Sequence, residues 1–158
     1  MLVACEADVN INARSGSIEN DYIEEPLIKL VSRFENALTT SNYFVDGVKS
    51  NNIDSLYQNL LSKKLRAKVS QEEFESLITE LKATRGEIIQ YKKMQWSFIK
   101  LNGEGDLEGK NLIASVKIVK HEKETMKYLI AFEDDGKFNK IVLVNFKKQS
   151  SVLPAGQF

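Results

Sequence analysis

The sequence predicts an α+β fold in which helices cover one face of an antiparallel sheet. Two observations carry that prediction. Up to Gly86 the apolar residues recur at helical spacing, and beyond it they alternate at strand spacing almost to the end. A chain of 158 residues is also about one domain long, and a domain of that size buries roughly 70% of its unfolded surface without a metal or disulfide staple.

Residues 6–21 lack sustained periodicity and read as a flexible acidic linker, so the expected organisation is 1–22 linker, 23–148 domain and 149–158 mobile tail. The first helix is expected near Glu24–Pro26, because proline and acids suit a first turn. Its stripe is Leu27, Leu30, Val31, Phe34, Ala37 and Leu38, then Phe44, Val45 and Val48 beyond a soft spot at Thr39–Asn42. Ile53 to Leu61 gives a short second helix and Ser62 to Lys68 another turn. Ser70 followed by Glu73 is a capping-box start for a helix burying Phe74, Leu77, Ile78 and Leu81.

Four strands follow. The first spans 87–101, with Met94, Trp96 and Phe98 on one face and Ile89 and Tyr91 on the other unless a bulge intervenes. The second aligns Leu112, Ala114, Val116 and Ile118, and the third Met126, Tyr128, Ile130 and Phe132. Asp134-Asp135-Gly136 is a hairpin signal before the fourth, where Val142, Val144 and Phe146 share a face.

Composition excludes several function classes. Net charge is zero, from 22 basic and 22 acidic residues, so no global field favours nucleic acid. One cysteine excludes an internal disulfide and a cysteine zinc cluster, and one histidine the usual multi-histidine metal site. No phosphate loop or nucleophile elbow is present. No cofactor is expected.

Leu2-Val3-Ala4-Cys5 resembles the lipobox of bacterial lipoproteins, in which the cysteine receives lipid. That resemblance implies lipidation at Cys5, attachment to a membrane only through that lipid, and a place in the periplasm or on the outer surface. The basic and apolar stretch of a signal peptide does not precede it, which is expected to reflect a late start or a trimmed chain. The alternative is a cytoplasmic protein with a chance cysteine.

Phe44-Val45-Asp46-Gly47-Val48-Lys49-Ser50-Asn51-Asn52-Ile53-Asp54-Ser55-Leu56-Tyr57, then Leu65 to Phe74, then Gly86 leading into long strands, resembles the cystatin-like, nuclear transport factor 2-like superfamily. The likeness runs over about 27–147 and is nearest to bacterial extracytoplasmic members of unknown function. It implies a strongly curved four-stranded sheet wrapped around a long first helix into a cone with a cavity. It also implies frequent homodimers through the exposed sheet face. Its members include isomerases, dehydratases and polyketide cyclases as well as non-catalytic domains, and fold alone does not choose among them.

Enzymes of that superfamily set an aspartate or histidine against a tyrosine or second carboxylate. The expected concave face holds Met94, Trp96, Phe98, Ala114, Val116, Ile118, Tyr128, Ile130 and Phe132, with no acid or base. Asp46 is the nearest carboxylate, but it reads first as a solvated or capping group. His121 reads as an exposed turn residue, and Tyr91 as a half-buried structural tyrosine. No catalytic or metal residue is assigned. Trp96, Phe98, Tyr128, Phe132 and Tyr57 are the candidate lining for a small apolar ligand, set against the plainer reading of aromatic core. Lys92, Lys93, Lys100 and Lys117 read as a solvated sheet face.

The expectation is a non-catalytic binding or assembly domain of a cell-envelope lipoprotein, using the sheet face or a modest apolar cavity. The alternatives are an isomerase- or cyclase-type enzyme of the same fold, a cytosolic protein-interaction domain, or a purely structural dimer.

Overall fold

The structure is a computed structural model describing residues 5–12, 24–103, 105–109, 111–133 and 137–149, with side chains described from residue 31 onward except that of Asp106. The helical layer follows local chemistry closely. Helix α1 runs from Glu24 to Ser50. A short α2, Ile53–Ser55, passes into a π-helical turn, Leu56–Leu60. Helix α3, Lys63–Lys68, starts with Ser62 accepting the Leu65 N–H. Helix α4, Gln71–Arg85, carries the expected reciprocal cap between Ser70 and Glu73 and ends at Gly86, whose φ of 86° suits glycine.

Six strands follow the expected antiparallel pattern, with two additions. They are β1 Cys5–Asn12, β2 Ile88–Tyr91, β3 Ser97–Asn102, β4 Asn111–His121, β5 Thr125–Glu133 and β6 Ile141–Lys148. The sheet order is β1-β3-β4-β5-β6, and β2 also pairs with β4. The strand expected over 87–101 is therefore two: β3 takes one end of β4, Asn111 to Ser115, and β2 the other, Val119 to His121. Cys5–Asn12, expected as the head of a flexible linker, is a strand antiparallel to β3. Its sequence alternates Ala7, Val9 and Ile11 with polar residues, a period of two that its acidity masks. Residues 13–23, the 134–136 hairpin and the tail beyond Gln149 lie outside the described residues.

The soft spot in α1 does not break it. Ser41, fully buried, donates its hydroxyl to the Ala37 carbonyl at 2.7 Å, which satisfies it inside the helix. The main core joins Phe34, Phe44, Val45 and Val48 of α1 and Phe74 and Ile78 of α4 to one face of the sheet. On β4 that face is one residue out of the expected phase. Ser115 lies opposite Ile130 and Lys117 opposite Tyr128, so Ile113, Ser115, Lys117, Val119 and His121 face the helices. Leu112, Ala114, Val116 and Ile118 take the other face, where they are buried with Leu129, Ala131 and Leu143. Since both faces of β4 are covered, apolar content could not fix its phase. Met94 leaves the expected face for the turn between β2 and β3 and is 73% exposed. A register shift opposite Ala131/Phe132 sends Val142 to the far face while Ile141 and Val144 stay in the main core.

The β6 edge is held by the segment after the π-helical turn. The Ser62 N–H donates to the Ile141 carbonyl at 2.8 Å, and Lys140 donates to the Asn59 carbonyl at 2.6 Å. Such contacts cover part of an edge that would otherwise offer unpaired backbone groups.

Candidate functional site

The end of α1 is built by Gly47, Ser50, Asn51 and Asn52. Asn51 takes φ of 62°, its N–H donates to the Val48 carbonyl at 3.3 Å, and the Asn52 N–H reaches the Gly47 carbonyl at 2.8 Å. This pair of bonds is a Schellman stop with asparagine in the left-handed position. Leu56 then folds back onto Gly47, where a Cβ would stand 2.6 Å from the Leu56 Cγ. The π-helical turn swings Asn59 and Leu60 round the same spot. The result is an open groove of about 420 Å³. Tyr43, 61% exposed, flanks it. Asp46, Ser50, Asn52, Ser55 and Asn59 supply polar atoms, and among the described residues the lining holds no lysine, arginine or histidine.

Behind Asp46 a polar line runs into the core. The Tyr91 hydroxyl donates to Asp46 Oδ1 at 2.6 Å, with the Asn42 carbonyl also near at 3.2 Å. Burial, and next the Asp46 acceptor, hold the Tyr91 hydroxyl well above the ordinary tyrosine range. Lys117 Nζ lies 5.9 Å from the Tyr91 ring centre and donates to the Lys92 and Lys93 carbonyls at 3.0 and 2.9 Å. Asn42 Nδ2 donates to that same Lys93 carbonyl at 3.1 Å. Lysine and asparagine thus pin the turn that separates β2 from β3. Lys117 was expected on a solvated face; it is 0% exposed, and burial pulls its pKa to about 7 against the pull of Asp46 in the other direction.

His121 is likewise buried, at 1% exposure, and not an exposed turn residue. Its Nδ1 lies 2.7 Å from the Gly86 carbonyl, which only accepts, so Nδ1 carries the proton. Nε2 then accepts from the Tyr128 hydroxyl at 2.7 Å. Burial lowers the His121 pKa and raises that of Tyr128. The pair ties β4 and β5 to the end of α4.

The aromatic candidates come together, in the main core. Phe98 packs on Phe34 at 4.7 Å between ring centres and on Trp96 at 6.1 Å. Tyr128 meets Phe146 at 4.7 Å and Phe132 meets Phe138 at 6.4 Å. Tyr57 donates its hydroxyl to the Val69 carbonyl at 2.6 Å. Phe98, Tyr128, Phe132 and Tyr57 are buried and Trp96 half-buried at the cluster's edge. Only Asp46, among the residues weighed for function, lines the groove. Cys5 begins β1, opposite Asn102. Sequence reasoning missed Tyr43, Asn52 and Asn59; the signal was Gly47 inside a helix, followed by Asn51-Asn52 at its end.

Among the described residues no group of three His, Cys, Asp or Glu is placed to hold a metal, and no helix is long and apolar enough to cross a membrane. No protein-family model matches the chain, and neither a curated protein nor a solved structure matches it.

Proposed function

We propose that this chain is a non-catalytic binding or assembly domain of a cell-envelope lipoprotein, held at the membrane by lipid on Cys5 and facing the periplasm or the outer surface. In this reading the sheet is strongly curved about α1 into the cone of the cystatin-like, nuclear transport factor 2-like superfamily, and copies pair through the sheet. The observation that carries the non-catalytic part is the engagement of the buried ionisable groups. Lys117 and His121 each hold backbone carbonyls, and Tyr128 holds His121, at 2.7–3.0 Å. The groove that opens to solvent is lined mostly by amides and hydroxyls, groups that bind and orient, and its one carboxylate, Asp46, already accepts from the Tyr91 hydroxyl.

Native mass spectrometry of the chain purified from its own cell envelope tests this. A small molecule retained in the folded protein, and released chemically unchanged, is the expected result. No retained mass from any envelope preparation overturns the binding reading. The same spectra give the mass of the Cys5 peptide, where an unmodified cysteine in the native protein refutes the lipid anchor, and the oligomer, where a monomer refutes pairing.

One observation favours an isomerase- or cyclase-type enzyme instead. Asp46 and Tyr91 form a carboxylate–hydroxyl pair at 2.6 Å beside the groove, a geometry suited to proton transfer. Recovery of the retained compound in a rearranged form would favour that alternative.

A further inference from the structure

The geometry points to a saccharide site: the groove between α1 and the π-helical turn takes a neutral sugar, with Tyr43 as the stacking face and Asp46, Asn52 and Asn59 as partners for its hydroxyls. This rests on the proposed binding role and names the ligand class for it.

Two departures from regular helix and one missing side chain converge on this one groove. Gly47 removes the side chain that would block Leu56, Asn51 accepts a left-handed backbone, and the π-helical turn widens the following segment. Each is unfavourable beside a plain helix, and π-helical turns occur often at functional sites. Together they leave about 420 Å³, within the usual range for small-ligand clefts.

The lining then selects the chemistry. Phosphates and carboxylates are disfavoured, because Asp46 is there and, among the described residues, no cationic side chain lines the groove; Lys93, outside the lining, is paired with Asp46 at 3.7 Å. A purely apolar ligand would desolvate the amides and hydroxyls without replacing their hydrogen bonds. A diamine has little to gain, since Asp46 already accepts from Tyr91 and sits 3.7 Å from Lys93 Nζ. A sugar meets each requirement. Its hydroxyls both donate and accept, and its ring presents a C–H face to an exposed aromatic. Asp46 keeps free lone pairs after Tyr91 takes one. The Asn52 side chain makes no capping bond to α2, and Asn59, which donates Nδ2 to Ser55 at 3.2 Å and gives its backbone carbonyl to Lys140, has its side-chain Oδ1 to accept with.

The test is a titration of the ¹⁵N-labelled full chain, followed by amide shifts, with N,N′-diacetylchitobiose, cellobiose and maltose, each to about 20 mM, and putrescine as the cationic probe. At least one sugar is expected to move the Gly47, Asn52 and Asn59 amides along a saturable curve. Tyr43→Ala, at an exposed position, is expected to weaken that binding about tenfold or more, while Tyr43→Phe keeps it within about threefold. The proposal is overturned if no sugar moves those amides, if Tyr43→Ala binds like the parent, or if putrescine binds there and the sugars do not. A ligand retained from the cell envelope beside silent sugars refutes the saccharide assignment alone. Silence in both refutes the binding reading too.

Discussion

Replacing Lys117 by methionine separates the charge of that side chain from its packing, because methionine keeps a flexible unbranched chain of similar length and removes the amine. In the folded protein burial brings the lysine pKa from 10.5 to about 7. The unfolded chain therefore holds a proton that the folded chain has released throughout the interval between those values. Stability consequently rises with pH from about 7 toward 10, with a limiting slope of about 1.4 kcal/mol per pH unit. The whole interval corresponds to at most about 5 kcal/mol, absent below pH 7 and fully present above 10.5. The methionine variant loses this dependence and also loses the bonds to the Lys92 and Lys93 carbonyls, a pH-independent cost of about 1–3 kcal/mol. The two stability curves should cross. The variant is the more stable protein at pH 6 and the parent at pH 10. Urea unfolding followed by circular dichroism at half-unit steps between pH 6 and 10 measures this, and the difference between the curves cancels titrations common to both proteins. Parallel curves would refute a desolvated amine at position 117.

Two further outcomes follow from the packing and from His121. Gly47→Ala should lower stability by about 1–2 kcal/mol, because the new methyl group pushes on Leu56 and the helix propensity gained offsets only part of that. The melting temperature should fall by about 3–6 °C in calorimetry, and an unchanged value would mean that the α2 segment is not seated on α1. Burial holds the His121 pKa below its ordinary 6.5, so the unfolded chain binds the extra proton first and stability falls as pH drops below about 6.5. His121→Phe should flatten that part of the curve, read from urea midpoints at pH 7, 6 and 5, and an unchanged slope would place the acid sensitivity elsewhere.

Much of the helical layer was legible because its signals are local. Ser70 with Glu73, Ser62, Glu24 and Gly86 each act within one helical turn, and each sits at the boundary expected of it. Alternation made the antiparallel character of the second half visible, but neither the strand at Cys5–Asn12, nor the division of 87–101 into two strands, nor the phase of β4. In Leu112 to Val119 apolar residues occupy both alternate sets, and the chain resolves the tie by burying both. Lys117 read as part of a wet face, and Ser115 shares its set. They face the helices because Lys117 finds the Lys92 and Lys93 carbonyls, acceptors that exist only once β2 and β3 have separated. His121 depends in the same way on Gly86, far away in sequence. The groove was illegible for the same reason: no single segment contains it, and it forms where α1, its asparagine stop and the π-helical turn meet.

The strand at Cys5–Asn12 changes how the molecule would sit if Cys5 carried acyl chains. A free run over 6–21 would average roughly 22 Å end to end, long enough for a head group to roam above a bilayer. With Cys5 already in register opposite Asn102, that slack is gone from the start of the chain. The body would ride flush against the lipid surface, with the end of β3 turned toward it, and whatever it carries would be presented at a fixed height and orientation.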